Sequence, residues 1–161
     1  MKKTILFLLA SILFMSHDQS SGYSPVLMYR KDLLKSITSV ATQSMINTGK
    51  IYFKDSVIYI VEKYKGFHVI DNRNPASPVN TGFVTVPGVV DIAMKGTVMY
   101  ADNATDLVAI EMSQFPQVSE ISRVEKVFTE LYPPGYTYLP EEFTASHRPE
   151  NTVIVGWSDN Q

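Results

Sequence analysis

Two stretches of the chain carry the same pattern of apolar and polar positions. In the first, Ile51-Tyr52-Phe53 leads into Lys54-Asp55-Ser56. An apolar run over residues 57–62 then leads through Lys63-Tyr64-Lys65-Gly66 to Phe67-His68-Val69-Ile70. Short runs rich in β-branched and aromatic residues, bounded by turn formers, predict strands. In the second stretch the predicted strands are residues 91–94, 97–101 and 107–112, with Lys95-Gly96 and residues 102–106 as turns. A displacement of 41 positions lays one unit on the other. Lys54 and Tyr59 fall on Lys95 and Tyr100, Phe67 and Val69 on Val108 and Ile110, and Pro75 on Pro116. A period of about 40 with strand-like content is a mark of repeat architecture, propeller blades among them.

The first unit ends on a proline corner. Asp71, Asn72 and Asn74 have side chains that accept turn hydrogen bonds. Pro75 fixes φ and has no N–H to give, so no central strand continues through it. Pro78 favours an extended entry into residues 79–86, expected as an outer edge strand, and Pro87-Gly88 closes the unit.

The flanks are less regular. Leu33, Leu34 and Ile37 have helical spacing and Asp32 stands early, so residues 29–40 predict a short helix. Residues 124–132 fit either strand or helix. Residues 132–140, with three prolines and a glycine, predict a loop, and residues 152–157 a last strand. The expected fold is all-β: two propeller-blade-like antiparallel β repeats with a short helical flank. That is too few blades for a closed propeller, which takes at least four. The helical flank and the last strand are expected to cap the stack, since repeat stacks need atypical ends.

The N-terminus reads differently. Met1-Lys2-Lys3 precedes a continuous apolar run over residues 4–15, shorter than the roughly 20 residues that span a bilayer. Residues 1–22 are expected to be a signal segment for export. Leu13-Phe14-Met15-Ser16 has the look of a lipoprotein cleavage site, but His17 stands where the lipid-bearing cysteine would be. Either export proceeds without a lipid or this sequence lacks the residue that carries it. Residues 23–161 are expected to be one domain, with repeats at about 47–88 and 89–124 and a C-terminal extension over 125–161.

Composition narrows the chemistry. The chain has 161 residues, 45% apolar and 19% charged, which supports one hydrophobic core and excludes a disordered chain. A net charge of −2 with scattered Lys and Arg gives no surface for nucleic acid. The absence of cysteine excludes disulfides, thiolate metal sites and thiol catalysis. His17, His68 and His147 are too far apart in sequence for a metal-binding pair. His68 alternates with Phe67 and Val69 and is expected at a surface or edge. The oxygen-rich stretches 71–74 and 102–106 do not follow a calcium loop and read as turns. Adjacent Glu141 and Glu142 do not make the separated carboxylate pair of a glycosidase. No enzyme, cofactor or metal is expected. Aromatic residues make up 11% of the chain. Tyr132, Tyr136, Tyr138 and Trp157 lie near prolines and the chain end, where rings either present a binding surface for a protein or glycan or cover an open end of the sheets.

Phe67-His68-Val69-Ile70-Asp71, with Asn74-Pro75 and Pro78, resembles the strand and corner of the LVIVD-repeat family. Leu107-Val108-Ala109-Ile110-Glu111, with Phe115-Pro116, is a looser second copy. The run from Gly49 to Val79, followed by VPGVVDIAMKG and YADNATDLVAIEMS, is similar to lipoproteins of Bacteroides-type bacteria that carry this repeat. The resemblance covers roughly residues 25–120 and implies blade-like sheets, export and attachment to the cell envelope, near the outer membrane. It supplies no catalytic residues. The expected function is a non-catalytic binding or scaffolding role in the periplasm or at the cell surface. Membrane association is expected only through the N-terminal segment or a lipid, and self-association through sheet edges. The alternatives are a hydrolase-like enzyme with an unrecognised site, and a piece of a larger propeller without a function of its own.

Overall fold

A computed structural model describes residues 22–160. Apart from Gly22, the expected signal segment lies outside these residues. In chain order the elements are β1 (Tyr23–Tyr29), the one-turn helix α1 (Arg30–Leu33), β2 (Thr38–Val40), β3 (Thr48–Lys54) and β4 (Val57–Glu62). There follow β5 (Gly66–Asp71), β6 (Val79–Thr85), β7 (Ile92–Lys95), β8 (Val98–Asn103), β9 (Asp106–Glu111), β10 (Ser119–Val124) and β11 (Thr152–Asp159). Two single 3-10 turns, Glu141–Phe143 and Ala145–His147, lie in the otherwise irregular stretch before β11.

Among the described residues the strands form three antiparallel sheets and no closed barrel or propeller. Two of them are blade-like. The first has the order β2-β6-β5-β4-β3 and the second β10-β9-β8-β7, so β3–β6 and β7–β10 repeat one meander. Two-residue turns close the equivalent first hairpins, Lys54 pairing with Val57 and Lys95 with Val98. The corner after β5 is built as its residues suggest. The Asp71 carboxylate accepts from the Arg73 amide at 2.9 Å, and the Asn74 side chain accepts from the Ala76 amide at 3.2 Å.

Three local expectations are corrected. The helix over residues 29–40 is limited to Arg30–Leu33, because Thr38-Ser39-Val40 pairs with Val84 and its neighbours instead. A strand edge offers these residues a full set of backbone partners, and β-branched Thr38 and Val40 favour it. Residues 79–85 are consequently an inner strand, with β2 as the edge. Finally, Asp102 and Asn103 belong to β8, and the turn there is only Ala104-Thr105.

The two blade-like sheets pack face to face. Tyr59, Val61, Phe67, Val69 and Val84 from the first meet Ile92, Met99, Ala101, Val108 and Ile110 from the second in one buried cluster. Tyr59 and Phe67 meet edge to face at 6.0 Å. The Tyr52 hydroxyl donates to the Met94 carbonyl at 3.2 Å, which ties β3 to β7.

The parity of this interface is informative. In the first sheet the inward residues of β4 are Tyr59 and Val61. Displaced by 41 positions through the matching hairpins, they become Tyr100 and Asp102, which point outward; the inward residues of β8 are Met99 and Ala101. Consecutive blades of a stack behave in this way: the front of one sheet meets the back of the next. The turn after β8 is one residue shorter than that after β4, so β9 slips by one and returns Val108 and Ile110 to the core.

Pro87-Gly88 makes the crossing between the sheets. Gly88 has φ +83°, and a Cβ there would stand 2.5 Å from the Ala104 nitrogen. Gly88→Ala is therefore expected to destabilise the fold by about 1–3 kcal/mol from positive-φ strain alone, with the backbone collision added to it. A thermal melt against the wild type measures the loss, and an unchanged midpoint would refute this account of the crossing.

The third sheet is the pair β1-β11, joining the two ends of the described chain. It lies over the ends of the blade-like sheets that carry the β4–β5 and β8–β9 turns. Val153 and Val155 pack with Leu33 and Ala104, and Gly156 faces the Tyr64 ring, where a Cβ would come within 3.1 Å of the ring. The flanks thus cap an end of the stack and leave the outer face of each sheet uncovered by another sheet.

Candidate functional site

The outer face of the second sheet holds a groove of about 390 Å³. Alternation places its floor: Ala93 on β7, Tyr100 and Asp102 on β8, and Leu107 on β9 all face away from the core. Val90 from the crossing segment and Phe128 from the chain after β10 form one wall. Phe128 is held there because its amide donates to the Thr105 carbonyl at 3.0 Å. The groove is mostly apolar; besides the exposed Asp91 it has one half-buried polar group, the composition usual for a binding site.

That polar group is Asp102. Its carboxylate accepts from the amides of Val90 at 2.9 Å and Asp91 at 2.8 Å, which fixes the crossing segment against β8. Burial pushes the carboxyl above its ordinary value, and the two amides counter that without cancelling it. Tyr100 is 37% exposed on the groove floor. The arrangement can hold an apolar group and places a carboxyl beside it. It does not align a nucleophile with a base.

Beside the groove lies an ionic cluster around the fully buried Asp106. Its carboxylate accepts from Arg30 and Arg123, each at 2.7 Å, and from the Lys126 amide at 3.1 Å. Arg123 also binds Glu120 at 2.7 Å and donates to the Asn103 side-chain oxygen Oδ1 at 2.8 Å, while Arg30 reaches Glu125 at 2.9 Å. Burial pushes the Asp106 carboxyl up. The guanidinium groups of Arg30 and Arg123 outweigh that and hold it below its ordinary value. The cluster fastens α1, β8, β9, β10 and the segment that leads to Phe128 together, so it positions one wall of the groove.

A second buried polar pair stands on the outer face of the first sheet. His68 is fully buried, not at a surface or edge as its alternation alone suggests. Its strand-mates Ile60 and Phe83 flank it, the Phe83 ring 4.9 Å away, and the residue 41–47 segment runs close to this end of the face. Its Nε2 lies 3.4 Å from Glu62, a carboxylate that also accepts from the amides of Ile46 at 3.0 Å and Asn47 at 2.5 Å. Burial pushes Glu62 up, and these donors more than offset it, leaving the carboxyl below its ordinary value. The pair anchors the residue 41–47 segment.

Tyr136 and Tyr138 pack edge to face at 5.9 Å, and Tyr132 and Tyr138 are exposed. Trp157 is buried against Phe143 at 5.1 Å and donates its indole N–H to the Leu131 carbonyl at 3.3 Å. Sequence reading missed the groove because its floor comes from alternate residues of three strands. The signal that could have found it was the unbroken apolar content of those strands, which leaves side chains for both faces. Among the described residues, no three His, Asp or Glu side chains stand close enough to hold a metal ion. Compared with known proteins, the chain matches no family model, and neither a curated protein nor a solved structure matches it.

Proposed function

We propose that this chain is an exported, LVIVD-like repeat protein of the cell envelope with a non-catalytic binding or scaffolding role. The observation that carries the reading is the open face of the second sheet, where an apolar groove is held in shape by a buried ionic cluster. Rigid sheets presenting such a surface suit a binding module, since the contact surface is ordered before the partner arrives. The basic start and apolar run of residues 1–15 support delivery to the periplasm or cell surface. The two proline-cornered meanders support kinship with the repeat family.

Photo-cross-linking tests the binding role. A benzophenone side chain at position 100 in the full chain, irradiated in intact exporting cells, is expected to give one discrete adduct. The same group at position 77, on the exposed proline corner, is expected to give none. Equal labelling at both positions, or none at 100, would remove the groove as a binding surface.

A further inference from the structure

We propose that the outer face of the first sheet in one copy docks on the outer face of the second sheet in another, so that copies stack head to tail. This rests on the reading of the open second face as a binding surface and names its partner.

Antiparallel sheets with one face in water show an apolar–polar alternation. These do not. On the outer face of the first sheet, Phe53, Ile58 and Ile70 form one cross-strand row, and Ile51, Ile60, His68 and Phe83 form the next. Ile51 is 64% and Phe53 60% exposed, while His68, Ile70 and Phe83 are buried, so the open part of this face lies towards β3. On the outer face of the second sheet, Ala93, Tyr100 and Ala109 form one row, and Leu107 stands opposite Asp102 in the next. Strands that are apolar on both sides are the mark of sheets covered on both sides, yet each sheet has a sheet on one side only. Contiguous apolar faces of this kind mark interaction sites.

The interface inside the chain says what fits. There the front of the first sheet meets the back of the second, as the parity of Tyr59 and Met99 requires. The two faces not covered by another sheet are therefore the back of a first sheet and the front of a second. Those are the complementary members of the same kind of contact, so extending the stack brings a first sheet of one copy onto the second sheet of its neighbour. Such a contact is heterologous: it uses two different patches, and it grows until a ring closes or continues as a stack. The occupant is a second copy because the chain's own second sheet already shows the face that fits the first.

Sedimentation velocity on the purified exported chain tests this. The wild-type mass is expected to rise with concentration. Phe53→Glu and Tyr100→Glu, each checked for folding by circular dichroism, are each expected to weaken self-association at least tenfold. A mixture of the two variants is the decisive measurement. Each retains one good face, so the mixture is expected to form a one-to-one complex that neither forms alone. Wild-type protein that stays monomeric at every concentration would overturn the proposal. So would association that survives Tyr100→Glu, since that means like faces meet. A monomer that still gives a discrete cross-link at position 100 in cells would sink this inference and leave the binding role standing.

Discussion

Replacing Asp106 by alanine is expected to lower the stability of the fold by about 3 kcal/mol, as happens when one partner of a buried ion pair is removed. Asp106 is fully buried and Arg123 nearly so. The substitution leaves the Lys126 amide without its acceptor and takes one carboxylate from each of two guanidinium groups. Arg123 keeps Glu120 and Arg30 keeps Glu125, which places the loss at the lower end of the usual range. With an m-value of about 2 kcal/mol per molar urea, the midpoint falls by roughly 1.5 M. The pH dependence gives a second check. The folded-state pKa of Asp106 is below its ordinary value of 3.8, so the folded state binds fewer protons than the unfolded state in that window. The contribution of Asp106 is therefore complete above pH 3.8 and is lost as pH falls through the folded value. The stability gap between wild type and Asp106→Ala should close over that acidic range. A gap that widens there would show that the carboxylate is not held by its cations.

Phe67→Ala is expected to cost about 3–5 kcal/mol, the range for a buried phenylalanine. Phe67 is fully buried, opposite Val61 on β4 and edge to face with Tyr59, at the centre of the contact between the two sheets. Phe53→Ala, two strands away on the other face of the same sheet, is expected to change monomer stability by only about 0.5 kcal/mol. The pair of substitutions, compared by urea melts at low protein concentration, reads out which face is inside. Similar losses at both positions would contradict the parity that the stacking of the sheets rests on.

The meanders were legible because their signals are local. The turn formers Lys54-Asp55-Ser56 and Lys95-Gly96, and the Asn-Pro corner after Asp71, fix strand ends within a few residues of themselves. Face assignment was less accessible. Residues 57–61 are apolar at every position and Phe67, Val69 and Ile70 put apolar side chains on both faces of β5, so alternation could not say which side meets the partner sheet. His68 was misplaced for that reason: it does point away from Phe67 and Val69, but the face it joins holds Ile60 and Phe83 rather than water. Glu62, its partner, is six positions back, across a turn whose register sequence alone does not set. The Asp106 cluster was invisible in the same way. Its cations come from positions 30 and 123, and only the folded topology brings them to one carboxylate. The short helix was overextended because the edge strand β2 satisfies its backbone on β6, a partner more than 40 residues away.

The pairing of β1 with β11 has a consequence for how the molecule is made. Each meander joins residues near one another in the chain and can assemble on its own segment alone. Tyr23 opposite Asp159 is a different matter, because β1 and β11 are separated by all the other elements described. Closing so long a loop is the slowest kind of contact to form, which makes joining the ends the natural final step of maturation.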